Sequence, residues 1–259
     1  MERLTQHTET PRGLSANALR LWGYLCVLLG IAAKGIIHNG MLGLGNMTNQ
    51  QLFDVMNQSQ DAMALVTVSL VLQALESCAV PIFAFLLVEG FQKTSSYKNY
   101  LLRVALVALA SEIPYNLVFS SSVIMMGSRN PVFGLVLGLL MLYFYRYLGE
   151  KSLRNTLIKF CITLAAVVWC EMLRIEHGSL LILVTAALWL VRKRPNFRTL
   201  VACGVAACGT IISLFYVAAP FSAVTLHFYN GEKGETNRVF NLLCYPLMLL
   251  VAAIAVYYL

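Results

Sequence analysis

Long apolar runs separated by short polar turns dominate this chain, and their lengths predict helices that cross a membrane. Runs at roughly 18–38, 63–91, 100–119, 131–148, 156–173, 179–193, 199–219 and 239–259 each approach the ~17–25 residues needed to span hydrocarbon. The pattern predicts an all-α, polytopic membrane helix bundle of about eight crossings. The second run is too long for one upright helix, and Pro81 is expected to divide it into an outer arm near 63–77 and a spanning part through Gly90. Ile175-Glu176-His177-Gly178 joins the fifth and sixth runs as a tight helical hairpin. No repeat of fixed period appears, so the chain reads as a polar cytoplasmic tail (1–17) and a single transmembrane domain (18–259).

Composition agrees with that solvent. Residues are 59% hydrophobic and 12% charged, with a mean hydropathy of +0.71, far from the balance of a soluble domain. The net charge of +7 raises nucleic acid as a partner, but the basic residues fall in alternate loops rather than on one face. Lipid, not nucleic acid, is the expected partner. With the N-terminus in the cytoplasm, only Arg129, Arg174, Lys233 and Arg238 fall in outer loops, and Lys34 lies within the first run. That bias predicts that both termini are cytoplasmic. The cysteines lie in or beside apolar runs with no Cys-x-x-Cys pair, so they read as small helix-packing residues and no metal is expected.

Charged residues in hydrocarbon cost at least ~2.5–3.5 kcal/mol and usually face a partner or a wet cavity. Near the cytoplasmic side lie Arg20, Glu89 and Arg103. A short turn brings Glu89 and Arg103 within pairing reach, either as a structural ion pair or as a cationic pocket for an anionic ligand such as a nucleotide-bearing cofactor. Glu112 lies about 14 Å beyond Arg103 along the helix, with Pro114 two residues on. Proline there frees the Ala110 carbonyl beside the acid. Asn116, at i+4, shares the face of Glu112. Glu171, Arg174, Glu176, His177 and His38 gather toward the outer side, where a glutamate or histidine can serve general acid–base chemistry. Lys34 is the other cation there, suited to neutralise a glutamate.

These residues carry a likeness. PIFAFLLVEGFQKT (81–94), YLLR (100–103) and ALASEIPYNL (108–117) resemble the signature block of the TraX family of bacterial membrane proteins, named for the conjugation-system protein that acetylates the N-terminus of pilin. LSANALRL (14–21), CEMLRIEHGSLLILV (170–184), FYNGEKG (228–234) and NLLCYPLMLLV (241–251) are similar to other parts of that family. The resemblance implies a multi-pass protein of the bacterial inner membrane that uses acetyl-CoA from the cytoplasm to acylate an amine or hydroxyl of pilin, another envelope peptide or a glycan. Arg103, Glu89 and Arg20 would then shape the acetyl-CoA end, and Glu112 or His38 would act catalytically. Tyr115, Asn116, Glu171, Arg174 and His177 would meet the acceptor. It also implies an Asp–His pair in the first helix, where this chain reads Leu-Gly-Ile-Ala-Ala-Lys (29–34), and a histidine where it has Met248. Two other readings stay open: a proton-coupled transporter, and a non-catalytic assembly factor of the same fold.

Overall fold

The first helix starts at Ser15, whose hydroxyl accepts a hydrogen bond from the Ala18 amide at 3.2 Å and caps α1 (Ala16–Gly30). The computed structural model describes residues 13–43, 59–120, 123, 127–149, 152–235 and 237–258, and its regular elements are all helical. Residues 1–12 of the predicted tail lie outside the described residues. From α1 the chain passes directly into a π-helix, Ile31–Met41. There follow α2 (Gln60–Glu76), α3 (Ala79–Lys93), α4 (Tyr97–Ser120), α5 (Val132–Tyr147), α6 (Leu153–Met172), α7 (Gly178–Leu190) and α8 (Pro195–Cys208). The 3-10 turns Gly209–Ile211 and Leu214–Phe221 then lead to α9 (Ser222–His227), and α10 (Arg238–Tyr258) closes the chain.

Among the described residues, five helical stretches are long and apolar enough to cross a membrane: Ala16–Met41, Gln60–Lys93, Tyr97–Ser120, Leu153–Met172 and Val239–Tyr258. The second contains the predicted division, but the break falls at Ser77 and Cys78, ahead of Pro81. The Ser77 hydroxyl donates to the Ala74 carbonyl at 2.6 Å there. Pro81 sits in the first turn of α3, where its missing N–H has no intrahelical partner to lose.

The predicted sixth span is the centre of the bundle. Thirteen residues make α7 only ~20 Å long, short of a ~30 Å hydrocarbon core, yet it is apolar and buried on nearly every side. It packs between α3, α5, α6 and α8, and with α3 it forms the axis of the main hydrophobic core. The hairpin from α6 is tight because position 178 is glycine: a Cβ there would stand 2.9 Å from Cys170 Cβ.

The seventh span, expected at 199–219, is not one helix. The chain climbs through α8 and turns at Gly209, beside Leu180 near the start of α7. It then returns through Leu214–Phe221 and α9 until Leu14 N donates to Phe228 O at 2.7 Å and Lys93 Nζ donates to Gly231 O at 2.7 Å. Short helices and Pro220 hide this leg within a generally apolar stretch. The correction propagates. Lys233 and Arg238 move to the end of the bundle that holds Leu14 and Lys93, leaving Arg129 and Arg174 as the loop cations of the other end. Helix α10 starts at the basic end, where Tyr24 Oη donates to Asn241 O at 3.3 Å, and packs onward against α4 and the π-helix. It runs parallel to α1, so the first helix starts and the last helix finishes at opposite ends, contrary to the expectation for the termini.

Candidate functional site

Opposite the basic end, the π-helix, α2, α4 and the α6–α7 hairpin line an open cavity of about 230 Å³. Its walls include Lys34, His38, Gln73, Tyr115, Ser128 and Glu176. A π-helix bonds i to i+5, as in the Leu42 amide to the Ile37 carbonyl at 3.1 Å, and this wider winding turns both His38 and Asn39 toward the same space as Lys34. Such windings recur at functional sites.

Beneath the cavity lies a buried charge network. Lys34 is ion-paired to Glu176 and stands 3.5 Å from Glu76 Oε2. Tyr115 Oη donates to Glu176 Oε2 at 2.7 Å; since that spends its one proton, Ser128, at 3.0 Å, must donate to Tyr115. His177 places Nε2 3.8 Å from Glu76 Oε1 and 4.0 Å from Glu176 Oε1, and Nδ1 3.0 Å from Tyr216 Oη. The hairpin holds that ring inward through a left-handed backbone, with φ 53° at Arg174 and 57° at His177. Non-glycine residues in this region signal a local constraint. Burial pushes the Glu176 carboxyl up, but the Lys34 ammonium outweighs it and holds the group below the ordinary carboxylate range.

Glu76 needs room, and Gly30 supplies it: a Cβ at position 30 would overlap the Glu76 carboxylate. Gly30→Ala is therefore expected to push the carboxylate off Lys34 and cost about 1–3 kcal/mol, read as a lower melting temperature in detergent.

The predicted site residues divide. His38, Tyr115 and His177 converge on the cavity or the network below it, together with Glu176 and Lys34. Glu112 does not. It turns to the loop before α5, where Arg129 Nη1 lies 3.4 Å from its Oε1. Asn116 shares that face, as its spacing predicts, and donates to Val123 O at 3.0 Å. Asn130 from the same loop donates to the Ala108 carbonyl at 3.4 Å, two residues before the carbonyl that Pro114 was expected to free. Glu171 accepts a hydrogen bond from Ser179, and Arg174 is exposed; neither lines the cavity.

At the basic end Glu89 does not pair with Arg103. It is held by Lys93 at 2.8 Å, Arg198 at 3.2 Å and the Tyr229 hydroxyl at 3.1 Å. The reason is helical phase. Gly90 is the position that faces α4, where a Cβ would come 2.7 Å from Tyr100 Oη, and Glu89, one residue earlier, points elsewhere. Arg103 donates from Nε to Asn99 O at 3.0 Å, and Arg20 from Nη1 to Asn17 Oδ1 at 3.4 Å. Among the described residues no group of His, Cys, Asp or Glu is placed to hold a metal ion.

Sequence reasoning missed Glu76 and Tyr216. Glu76 had a usable signal, a carboxylate inside the longest apolar run. Tyr216 had none, since its place depends on the unforeseen return leg.

A family model described as TraX protein matches residues 47–256, most of the chain. The chain belongs to the TraX family. No curated protein and no solved structure matches it. Within the matched TraX region fall Glu76, Tyr115, Glu176, His177 and Tyr216; Lys34 and His38 precede it.

Proposed function

We propose that this TraX-family protein is a multi-pass membrane acyltransferase of the bacterial inner membrane, moving an acetyl group from acetyl-CoA to an amine or hydroxyl of an envelope substrate such as pilin. The observation that carries this reading is His38 beside Tyr115 on the wall of a polar cavity. Acylation of an amine or hydroxyl needs a base to take the nucleophile's proton, and an imidazole is suited to it near neutral pH. His38 takes that role, and Glu112, held toward Arg129, does not. Tyr115, fixed between Ser128 and Glu176, orients the acceptor.

Acetyl-CoA would supply the acetyl thioester. Its phosphates suit Arg103 and Arg20, both at the basic end, whereas Glu89 is already held by cations and takes no part. Transfer of labelled acetyl from acetyl-CoA to envelope fractions by the purified protein tests the reading. Absence of transfer together with absence of acetyl-CoA binding in calorimetry overturns it. A second reading, a proton-coupled transporter, draws on the run of titratable groups from Lys34 to His177. Proteoliposome uptake lost on Glu176→Gln, with no transfer, would favour it; neither activity would leave a membrane assembly factor.

The basic end faces the cytoplasm in this reading. Periplasmic reporters fused after residue 258 are then expected to be active and cytoplasmic ones silent, with the reverse for insertions at Gly231. An inactive periplasmic reporter after 258 would contradict the parallel course of α1 and α10.

A further inference from the structure

We infer that Tyr216 is a positioning residue of the site, whose hydroxyl donates to Nδ1 of His177 and keeps the imidazole proton on Nε2, facing Glu76 and Glu176. A neutral imidazole carries one N–H, and the partners of its two nitrogens decide which one bears it. Two observations agree here. Nε2 looks onto Glu76 Oε1 at 3.8 Å and Glu176 Oε1 at 4.0 Å. A lone pair aimed at two carboxylates is repelled by them, whereas an N–H is attracted. The second is the tyrosine itself. Tyr216 is buried, and among the described residues its hydroxyl has a hydrogen-bond partner only in His177 Nδ1, at 3.0 Å. Were Nδ1 to carry the proton, the hydroxyl would accept and its own O–H would be left buried with nothing to donate to, which costs about 1–3 kcal/mol. With Tyr216 donating, its hydroxyl and Nδ1 are both satisfied, and the Nε2–H, beyond hydrogen-bond distance of either carboxylate, is held by charge attraction alone.

Tyr216 reaches this place on the return leg, Leu214–Phe221, and its ring meets the imidazole edge-on with centroids 5.5 Å apart. The return leg thereby acts on the cavity through three linked groups. Tyr216 orients His177, the Nε2–H of His177 turns its positive edge to Glu176, and Glu176 holds Tyr115 on the cavity wall. The inference goes beyond the acyltransferase reading and does not depend on it, since the proton position is the same whatever the cavity binds.

The test is nitrogen-15 spectroscopy of histidine-labelled protein in lipid nanodiscs. His7→Gln, His38→Gln and His227→Gln together leave His177 as the single histidine signal. A bare Nδ1 and a protonated Nε2 are expected, with loss of that preference in Tyr216→Phe. A proton on Nδ1, alone or with one on Nε2, overturns the assignment, as does an unchanged spectrum in folded Tyr216→Phe. Because the first spectrum needs no change at Tyr216, it decides the matter even if that variant does not fold. Acetyl transfer is measured separately, so failure of the enzymatic reading leaves this result standing.

Discussion

His38→Gln is expected to lower the rate of acetyl transfer by about 10²–10⁴-fold while leaving acetyl-CoA binding intact, because a general base contributes on that order and His38 lies far from the basic end. Glu112→Gln is expected to transfer close to the wild-type rate. The pair of variants discriminates sharply, since sequence alone makes Glu112 the stronger base candidate and geometry moves the role to the π-helix. Along α4, about 18 Å separates Arg103 from Tyr115 at ~1.5 Å per residue, so a loss confined to turnover points to the cavity and a loss confined to cofactor affinity points to the opposite end. Steady-state rates against acetyl-CoA concentration separate the two. Inactive Glu112→Gln alongside active His38→Gln would refute the assignment.

Lys34→Met is expected to be the most destabilising single change in the bundle, costing about 3–5 kcal/mol, because it leaves two buried carboxylates facing each other without their shared cation. Glu176→Gln added to Lys34→Met is expected to recover part of the loss, and a double-mutant cycle of melting temperatures gives the coupling. The pH dependence carries a sign that can be checked. In the intact protein Lys34 keeps the Glu176 carboxyl below its ordinary value near 4.5. Its contribution to stability is thus present above that value and drains away as pH falls below it. Without Lys34 the burial effect is opposed chiefly by the Tyr115 hydrogen bond, so the variant is expected to gain stability on mild acidification where the wild type loses it. Parallel acid-melting curves for the two proteins would discredit the network.

Long apolar runs made the bundle legible, and the hairpin at Glu176 and His177 was plain from its polar residues between two such runs. The direction of a side chain was not. Glu89 and Arg103 are close in sequence terms across a short turn, but one residue of helical phase, about 100°, sends Glu89 to Arg198 instead. Likewise hydropathy puts Glu112 inside an apolar run and Glu176 in the turn between two, and only tertiary packing turns one to Arg129 and the other to Lys34. The stretch 199–219 deceived for a different reason: hydropathy measures how apolar a segment is, not whether it reverses within itself. Finding the return leg also strengthens the charge bias by moving Lys233 and Arg238 to the basic end, a check that sequence could have supplied had the turn at Gly209 been weighed. The positions that the resemblance marks as altered, 29–34 and Met248, fall on or beside this ground. Gly30 underlies Glu76, Lys34 is the central cation, and Met248 packs with the cluster around Tyr115 and Ile31.

The start of α1 is completed from far along the chain. The amides of Ala16 and Asn17 donate to the carbonyls of Glu232 and Lys233 at 2.8 and 3.2 Å, and Leu14 forms a parallel bridge with Tyr229. First-turn amides of a helix have no partner within it. During synthesis, then, the first helix reaches the insertion machinery with that turn capped only by Ser15 and water, and its backbone is finished by a segment translated long afterwards. Biogenesis of this protein closes a loop in time as well as in space: α1 is secured only once residues more than two hundred positions later have been made.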